Sequence, residues 1–459
     1  MTDLWNSKDA IEFTGGTSSQ PWVCSGVSID TRTLEKGDLF VALMGETGDG
    51  HLFLQEAAEK GAAAALISKE LQVPLPVLRV TDTLQALEKL GIAARQRCGA
   101  TRIAVTGSVG KTSTKDMLAW AFKDQGLTHA STASYNNLWG VPLTLARMPQ
   151  TTQFGIFEVG MNHPGEIRPL TRMIQPQIAI ITSIVECHIE FFKSEEDIAH
   201  AKAEIFEGMD KGGAVLLNRD NPHFDLLANL ARERGLQIKG FGKSEKADFR
   251  LVSWRGEAER SHVVAEIQGE RISYTLPVPG EHWVLNSLAV LGAIFLAGAD
   301  VKKAASSLAT VEAPSGRGKR YPGDFTVIDE SYNANPTSIR AALSVLGKSG
   351  EGRKIAVLGD IREFGGLARK RHEELLDPLL EHKIDLVFCC GPNMAYLYER
   401  LPEGMKGAYA LTSLDLIPSV LQAVKPGDVI SVKASLGTRV KPIVEALLDL
   451  QKNPLNRGA

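Results

Sequence analysis

A short run of glycine, lysine and hydroxyl-bearing residues is the stretch of the sequence most suited to chemistry. Residues 103–105 are apolar, as at the end of a buried strand, and they lead into Thr-Gly-Ser-Val-Gly-Lys-Thr-Ser. Gly107 and Gly110 permit a tight turn, and Lys111 opens a segment with helical periodicity. A strand, a glycine turn and a helix N-terminus together form an anion site, because free backbone N–H groups and the helix dipole point at the ligand. The run therefore predicts a phosphate-binding loop.

Two side chains of this loop have expected ligands. Lys111 would reach the terminal phosphates of a nucleotide, and the Thr112 hydroxyl would bind a magnesium ion. The spacing departs from the usual G-x-x-x-x-G-K-[ST] pattern, which would need glycine at Val105. The alternative is a chance glycine turn before an ordinary helix. Lysine and threonine directly after the second glycine argue against that alternative.

Two further polar side chains follow apolar runs that indicate strands. Glu158 lies near the end of one such run, and His188 follows the next by several residues. Both would face the glycine loop if these strands neighbour the one at 103–105, because parallel sheets bind ligands at the carboxyl ends of their strands. For either residue alone, a satisfied polar group at a strand end is the better interpretation. Together with Thr112 they predict a magnesium site, for which carboxylate is a well-suited ligand.

Lys202 borders the apolar stripe of a predicted helix formed by Ile198, Ala201 and Ile205. Charged helix positions are mostly solvated, and acidic residues stand one turn away. The residues alone therefore predict a surface lysine.

Other polar residues occur where apolar elements begin or end. Asn286 lies inside the apolar stripe of a helix and needs a partner, either an adenine edge or a backbone carbonyl. The acids and asparagines of the run 329–336 indicate hydroxyl or ribose contacts, or helix caps. Two polar turns, at 30–32 and 45–51, are either solvated turns or a ligand-binding edge.

The elements that must position these residues suggest several domains. A chain of 459 residues is too long for one core, and length alone suggests about three domains. Residues 1–83 indicate a small α/β unit. Alternating strands and helices over 84–312 predict a mostly parallel, doubly wound sheet, with an antiparallel hairpin region at 249–277. Residues 313–459 predict a Rossmann-like unit, but without G-x-G-x-x-G no dinucleotide is assigned to it.

Composition limits the partners and the compartment. The formal net charge of −3 gives no support for a nucleic-acid or membrane partner. Five cysteines without metal-ligand spacing favour a reducing cytosol. The N-terminus lacks the features of a signal peptide, and the most apolar long run, 284–299, is too short and interrupted to span a bilayer. We therefore expect a cytoplasmic protein with no membrane insertion.

Taken together, the sequence resembles the Mur ligase family, the ATP-dependent amide ligases of peptidoglycan precursor assembly. The resemblance covers essentially the whole chain. Its signatures are the glycine loop, Asn136-Asn-Leu-Trp-Gly-Val-Pro-Leu-Thr-Leu145, Glu158-Val-Gly-Met-Asn-His-Pro-Gly-Glu-Ile167 and Ser331-Tyr-Asn-Ala-Asn-Pro336. Within the family it is most similar to members that join D-alanyl-D-alanine to UDP-N-acetylmuramoyl-tripeptide through an acyl phosphate. A monomer of three domains is implied.

The resemblance implies roles for matching residues. Those expected to bind ATP are Gly107, Ser108, Val109, Gly110, Lys111, Thr112, Ser113, Asn286, Arg317, Asp329, Glu330 and Asn333. Those expected to bind the UDP substrate are Ser28, Thr31, Arg32, Asp49, His51, Asn136 and Asn137. Two Mg²⁺ ions are expected on Thr112, Glu158, His188 and Lys202, and the implied catalytic set is Lys111, Glu158, His188 and Lys202.

The resemblance and the residues disagree at Lys202. It matches the family lysine that reacts with carbon dioxide to form a carbamate, which then serves as a negatively charged metal ligand. The ribose contact is open between Asp329 and Glu330, because the family's second acid of that pair is glutamate here. A sister ligase, a folate polyglutamate ligase and a nucleotide-dependent switch are the alternative functions. The asparagine-rich runs argue against the first two, and the complete set of candidate ligands argues against the third.

Overall fold

Three large sheets, each accompanied by helices, form the framework of the molecule. The computed structural model describes residues 3–45 and 48–452. Outside the described residues lie Glu46 and Thr47 of the second polar turn, Met1 and Thr2 of the N-terminal stretch, and residues 453–459 of the third predicted unit. The predicted α/β class is confirmed, because the large sheets are mostly parallel and their strands alternate with helices.

The N-terminal part of the chain forms a five-stranded sheet. Its elements are β1 (Trp5–Asn6), α1 (Ser7–Thr14), β2 (Thr17–Ser18), β3 (Val23–Cys24), β4 (Gly26–Ser28), β5 (Asp38–Val41), α2 (Leu54–Glu59), β6 (Ala64–Ile67) and β7 (Val77–Arg79). The strand order is β2-β7-β6-β5-β4, and β1 pairs with β3 in a separate ribbon. Strands β5 and β6 are buried throughout, as expected for the middle of a sheet covered on both faces.

The central part of the chain forms a nine-stranded sheet. Its elements are α3 (Thr83–Gln96), β8 (Thr101–Thr106), α4 (Lys111–Phe122), β9 (Thr128–Ala130), α5 (Gly140–Ala146), β10 (Phe154–Glu158), α6 (Ile167–Ile174), β11 (Ile178–Ile181), α7 (Glu195–Ala203), β12 (Ala214–Asn218), α8 (Phe224–Glu233), β13 (Gln237–Gly242), β14 (Phe249–Gly256), β15 (Ser261–Ile267), β16 (Glu270–Leu276), α9 (Glu281–Leu296) and α10 (Val301–Leu308). The strand order is β16-β15-β14-β13-β12-β11-β8-β10-β9. Strands β15 and β16 pair antiparallel at one edge, which confirms the predicted hairpin region.

Strand β8 lies between β10 and β11, as the metal-site prediction required. Ile103 and Val105 pack in the apolar core that contains α4 and α9, and Ala104 packs in the core on the opposite face. Alternate residues of a strand point to opposite faces, so an uninterrupted apolar run is what a strand buried on both faces requires. The burial of β8 on both faces fixes the position of the loop that follows it.

The C-terminal part of the chain forms a six-stranded sheet. Its elements are β17 (Lys319–Tyr321), β18 (Thr326–Glu330), α11 (Pro336–Gly347), β19 (Lys354–Gly359), α12 (Ala368–Glu373), α13 (Leu376–Glu381), β20 (Leu386–Cys390), α14 (Met394–Arg400), β21 (Lys406–Ala410), α15 (Ser413–Ala423), β22 (Val429–Lys433) and α16 (Lys441–Lys452). The order is β17-β18-β22-β19-β20-β21, with only β17 antiparallel among these strands. The predicted Rossmann-like alternation is confirmed.

The apolar helix α9 belongs to the core of the central unit. Its buried side chains, such as Val284, Leu288 and Leu291, pack against the nine-stranded sheet and α4. Among the residues that the structure describes, no helix combines the length and the apolar character needed to cross a bilayer.

Candidate active site

The loop between β8 and α4 adopts a backbone that only glycine fits. Gly107 and Gly110 have φ angles of 143° and 86°. A Cβ atom on Gly107 would lie 2.0 Å from Thr182 Oγ1, and one on Gly110 would lie 2.8 Å from Asn286 Nδ2. Both contacts are too short for a real side chain. The two glycines found in the sequence are therefore required by positive φ and by close neighbours.

The N-terminus of α4 is open to a ligand. Gly110 occupies the N-cap position, so no side chain caps the helix. Within the described part of the chain, the backbone N–H groups of residues 109–113 donate no hydrogen bond. Unsatisfied N–H groups at a helix N-terminus attract anions. The predicted phosphate loop thus has the donors that a phosphate would use.

Lys111 lies against this loop. Its Nζ donates hydrogen bonds to the Gly107 carbonyl oxygen at 2.7 Å and, more weakly, to that of Ser108 at 3.4 Å. Burial lowers the pKa of Lys111, and the nearby Glu158 carboxylate opposes that shift. The ammonium group is therefore held beside the open N–H groups, where it can add charge to an anion site.

Glu158 ends β10 as a buried carboxylate with 0% exposure. Thr112 Oγ1 donates to Glu158 Oε2 at 2.8 Å, and Asn136 Nδ2 donates to Oε1 at 2.7 Å. No lysine, arginine or histidine of the described residues forms an ion pair with Glu158. A buried carboxylate without a cationic partner is unfavourable unless a cation binds it. The structure therefore brings Thr112 and Glu158 together in a setting that fits Mg²⁺.

Lys202 is buried, with 1% of its surface exposed, so the prediction of a surface lysine is wrong. Helix α7 buries Ala199 and Ala203 in addition to Ile198 and Ala201 of the predicted stripe, and this wider contact also covers the lysine. Burial lowers its pKa to about 7, and the positive charge of Lys111 contributes. Within the described residues the Lys202 Nζ forms no hydrogen bond or ion pair.

His188 forms a hydrogen bond with Glu363, which follows β19 of the six-stranded sheet. Its backbone is left-handed, with φ 54°, and its Nδ1 forms a short hydrogen bond with Glu363 Oε2. That hydrogen bond lowers the pKa of Glu363. The carboxylate is therefore ionised and accepts, which makes Nδ1 the donor. His188 is thus hydrogen-bonded to Glu363, and the described residues include no hydrogen bond between His188 and Glu158.

The donors in this region fit an oxygen-seeking ion. Across residues 3–45 and 48–452, no group of three or more histidine, cysteine, aspartate or glutamate side chains is arranged to hold a metal. A zinc-type cluster is thus absent from the described residues. The Thr112 hydroxyl and the Glu158 carboxylate are hard oxygen donors, and Mg²⁺ commonly completes its coordination with water and substrate phosphates.

Two candidate ATP contacts lie at the loop. Asn286, on α9, is buried directly against Gly110. The Arg317 guanidinium stacks on the Tyr332 ring, 4.1 Å from its centroid, and donates to Ser134 Oγ at 3.2 Å. Ser134 Oγ in turn lies 3.4 Å from Thr112 Oγ1. Arg317 therefore reaches the site from the segment that precedes the six-stranded sheet.

The acid pair at the end of β18 has divided roles. Asp329 Oδ1 accepts from the Ser331 N–H and hydroxyl, and Oδ2 accepts from the Ser315 hydroxyl and the Gly316 N–H. Glu330 forms an ion pair with Lys433 at 3.2 Å. Asp329 is thus occupied in shaping its own segment. Asn333 is exposed, and its Oδ1 accepts a hydrogen bond from the N–H of the next residue, Ala334, at 2.9 Å.

Three candidate UDP contacts of the N-terminal unit, Asp49, His51 and Arg32, form hydrogen bonds or ion pairs with neighbouring residues. Asp49 accepts from His51 Nδ1 at 2.6 Å, and His51 Nε2 accepts from the Ser68 N–H at 3.0 Å. Arg32 is paired with Asp30 at 2.5 Å, and its side chain is 85% exposed. Of these three side chains, that of Arg32 is the most accessible to a ligand.

The other residues of this predicted group are placed differently. Ser28 Oγ donates to the Asp30 carbonyl at 3.0 Å, and the Thr31 carbonyl accepts from Lys60 Nζ at 2.8 Å. Asn137 Oδ1 accepts from the Gly140 N–H at 2.9 Å and so helps to start α5. Asn136 is the exception, because it bonds to Glu158 beside the glycine loop.

Sequence reasoning missed Lys115. This residue is 3% exposed, and its Nζ donates to the carbonyls of Ser131 at 2.9 Å and Ala133 at 3.0 Å. It thereby anchors the segment that contains Ser134 and Asn136. Its spacing of four residues from Lys111 places both on one helix face, which was the available signal. Glu363 was also missed, and its distance along the chain from His188 leaves no local pattern to find.

Comparisons with known proteins give consistent matches over most of the chain. The family models described as "Mur ligase family, catalytic domain", "Mur ligase middle domain" and "Mur ligase, glutamate ligase domain" match residues 23–121, 105–294 and 316–436. The chain is 33% identical to the UDP-N-acetylmuramoyl-tripeptide--D-alanyl-D-alanine ligase of Rickettsia prowazekii (strain Madrid E), across 96% of this chain and 99% of that protein. It is 35% identical to the protein of the same name from Bacillus subtilis (strain 168), across 98% of this chain and 99% of that one.

The fold agrees as well. A crystal structure of MurF from Acinetobacter baumannii superposes with a TM-score of 0.84 at 27% identity, covering 97% of this chain and 99% of the other. The similarity to the relatives extends over nearly their whole length, so it includes all three sheets and the glycine loop. This chain belongs to the Mur ligase family.

Proposed function

We propose that this protein is an ATP-dependent amide ligase that joins D-alanyl-D-alanine to UDP-N-acetylmuramoyl-tripeptide in cytoplasmic peptidoglycan precursor synthesis. The observation that carries the proposal is the open N-terminus of α4, beside Lys111 and beside the Glu158 carboxylate, which forms no ion pair with the described residues. The names of the relatives support this reaction over that of a sister ligase or a folate polyglutamate ligase.

The reaction has two steps. The terminal carboxylate of the tripeptide attacks the γ-phosphorus of ATP, the bond from that phosphorus to the β–γ bridging oxygen breaks, and ADP leaves. The amine of D-alanyl-D-alanine then attacks the acyl carbon, an amide bond forms, and phosphate leaves as the amine loses a proton. Phosphoryl transfer of this kind depends on positioning and charge stabilisation. The N–H groups of residues 109–113 and Lys111 would supply both at the ATP phosphates.

Two Mg²⁺ ions would be held by Thr112, Glu158, His188 and Lys202. Bound there, the ions would neutralise charge on the phosphate oxygens during transfer. The fit rests on the hydroxyl and the carboxylate, which are hydrogen-bonded to each other, and on the lack of an ion pair between this carboxylate and any described lysine, arginine or histidine. Asn136 would keep Glu158 oriented through its hydrogen bond at 2.7 Å.

Lys202 would join this set as a carbamate. The buried Lys202 amine has no hydrogen-bond partner among the described residues, and with its pKa lowered to about 7 it is partly uncharged at neutral pH. The free amine attacks the carbon of CO₂ and loses a proton, which gives a negatively charged carbamate. That product would replace an unfavourable buried cation by a carboxylate-like group suited to Mg²⁺.

The remaining substrates would be distributed over the three units. Residues 84–312 would bind ATP, with Asn286 at the base, and Arg317 from the C-terminal unit would reach the γ-phosphate. Glu330 is the better candidate for the ribose, because Asp329 already accepts four hydrogen bonds. Residues 1–83 would bind the UDP end, with Arg32 available to its phosphates, and 313–459 would bind D-alanyl-D-alanine. We propose a monomer, as the family resemblance implies.

An assay of phosphate release tests the proposal. We expect release only when ATP, UDP-N-acetylmuramoyl-tripeptide and D-alanyl-D-alanine are all present. Single amino acids in place of the dipeptide distinguish a sister ligase, and a folate substrate with glutamate distinguishes a folate polyglutamate ligase. Turnover of ATP without either peptide substrate would instead favour a nucleotide-dependent switch.

A further inference from the structure

The contact between His188 and Glu363 joins two sheets. His188 follows β11 of the nine-stranded sheet, and Glu363 follows β19 of the six-stranded sheet. Besides the bond between their side chains, the Glu363 carbonyl accepts from the Glu190 N–H at 3.2 Å. Both members of the pair have a left-handed backbone, with φ 54° and 67°. Such a conformation in residues other than glycine persists where surrounding contacts enforce it, and it concentrates at functional sites.

The loop that carries Glu363 is firmly anchored. The N–H of Asp360 donates to a carbonyl on β20 at 3.1 Å, and that of Ile361 donates to His372 Nε2 at 3.0 Å. The N–H of Arg362 donates to a serine hydroxyl after β22 at 3.0 Å. Ile361 and Phe364 are buried in the core of this sheet. Glu363 is therefore presented to His188 by a rigid support.

The chemistry of the pair leaves one ring nitrogen available. A carboxylate oxygen accepts from an N–H, so the contact has His188 Nδ1 donating to Glu363, and in the neutral imidazole Nε2 is then the nitrogen with a free lone pair. A histidine that ligates a metal through one nitrogen typically donates the other N–H to a carboxylate, which fixes its tautomer and orientation. The observed bond has this arrangement.

We propose that Glu363 is a positioning residue that holds His188 in the tautomer and orientation needed to bind metal. The proposal rests on the proposed function, in which His188 is a ligand of Mg²⁺. Because Glu363 belongs to the six-stranded sheet, the metal site on the nine-stranded sheet is complete only when the two sheets are docked. Metal binding and docking therefore favour each other.

A second ion pair between the same regions separates positioning from docking. Arg371 Nη2 lies 2.6 Å from a carboxylate oxygen of Glu186, which links α12 to the segment after β11. This pair contacts none of the proposed metal ligands. Arg371→Ala removes a docking contact and leaves the bond between His188 and Glu363 in place, so it is the matched control for Glu363→Ala.

The test measures metal binding in the full chain. Mn²⁺ replaces Mg²⁺, and the methylene analogue of ATP is present at saturation. Electron paramagnetic resonance gives the affinity for each Mn²⁺, and spin-echo modulation detects histidine nitrogen in protein labelled with ¹⁵N-histidine. The variants are His188→Ala, Glu363→Ala, Glu363→Gln and Arg371→Ala.

Glu363→Ala should weaken the His188-dependent Mn²⁺ by about 10- to 100-fold, the range for loss of such a partner. Glu363→Gln keeps an acceptor for Nδ1–H, so it should weaken binding less and retain the histidine signal even if the alanine variant folds poorly. Arg371→Ala should lose only the part of the affinity that docking contributes, so it should weaken Mn²⁺ binding clearly less than Glu363→Ala does. Wild-type affinity in Glu363→Ala, or equal losses in Glu363→Ala and Arg371→Ala, would overturn the proposal. If His188→Ala changes neither affinity nor signal, the metal role of His188 in the proposed function fails, and this inference fails with it.

Discussion

The nine-stranded and six-stranded sheets differ in what occupies a helix N-terminus at the carboxyl edge of the sheet. Each has a parallel strand that leads to a helix N-terminus at the carboxyl edge. At α4 the glycine loop leaves the N–H groups of residues 109–113 without partners among the described residues. At α14 the Asp360 carboxylate accepts from the Met394 N–H at 2.9 Å and from the Asn393 side chain at 3.2 Å. One helix end is open to a ligand, and the other is occupied by the chain's own anion.

A glycine precedes each of these helices, Gly110 before α4 and Gly391 before α14. A Cβ on Gly110 would meet Asn286, whereas one on Gly391 would lie 2.5 Å from the Asp360 carboxyl group. In the first case the glycine allows a backbone that can approach a phosphate, and in the second it makes room for an aspartate. The parallel fold thus provides a helix end at the sheet edge, and the side chains decide whether an external anion can use it.

Removing Lys202 should affect the open site most severely. We expect Lys202→Ala to reduce the ligation rate by about 10²- to 10³-fold, because a preorganised charge beside the transferred phosphoryl group is lost. The fold should remain intact, because the variant also removes a buried amine that has no partner among the described residues. Phosphate release and the thermal unfolding transition measure the two effects.

Rescue experiments identify the charge that matters at this position. Lys202→Arg should not restore activity, because it keeps a positive charge and cannot form a carbamate. A short carboxylic acid added to Lys202→Ala should restore part of the rate by placing a carboxylate in the vacated space. Rescue by an alkylamine instead would mean that the lysine acts as a cation, and full activity of Lys202→Ala would exclude a role in the reaction.

Thr112→Val should have the next largest effect. It removes the hydroxyl that donates to Glu158 at 2.8 Å and the proposed oxygen ligand of Mg²⁺. We expect roughly a 10²-fold lower rate, with partial recovery at high Mg²⁺ concentration. Thr112→Ser retains the hydroxyl and is the control. Equal rates for the valine and serine variants would contradict the role of the hydroxyl.

Gly110→Ala should close the open helix end partly. The alanine would have to adopt the backbone φ of 86°, and its Cβ would lie 2.8 Å from Asn286, so the loop must shift. We expect about tenfold weaker binding of ATP, corresponding to about 1.4 kcal/mol, measured by calorimetric titration. Gly99→Ala is the control, because nothing lies within 4 Å of its added Cβ. Unchanged affinity in Gly110→Ala would show that the loop tolerates a side chain when it binds the nucleotide.

Asp360→Ala opens the second helix end and should change catalysis least. We expect a loss of about 1–3 kcal/mol in the free energy of unfolding, because buried N–H groups at the start of α14 lose their acceptor. The KM for ATP should not change, since this edge lacks the glycine loop and the lysine. Denaturant unfolding and steady-state kinetics measure both quantities. A second ATP bound by Asp360→Ala would show that an open helix end alone suffices.

The residues of the phosphate loop could be predicted from the sequence because they are consecutive. The apolar run before Gly107, the two glycines and Lys111 report a strand, a turn and a helix within a few residues. The hydrogen bond between Thr112 and Glu158 was also within reach, because parallel strands of an α/β sheet end at a common edge. Local periodicity is a short-range property of the chain, whereas the adjacency of β8 and β10 was a condition of the prediction that the sheet fulfils.

The burial of Lys202 and the partner of His188 depended on tertiary structure. Lys202 borders a short apolar stripe, and only the packing of α7 showed that the covered face extends over it. Glu363 is separated from His188 by 175 residues and lies on another sheet.

The amino-acid sequence by itself determined the class of fold, the glycine loop and the types of ligand available, since these follow from local backbone preferences and side-chain chemistry. Tertiary structure decided which lysine loses its solvent and which carboxylate holds His188. Desolvation and contacts between distant segments are properties of the assembled molecule, and neither leaves a local pattern in the chain.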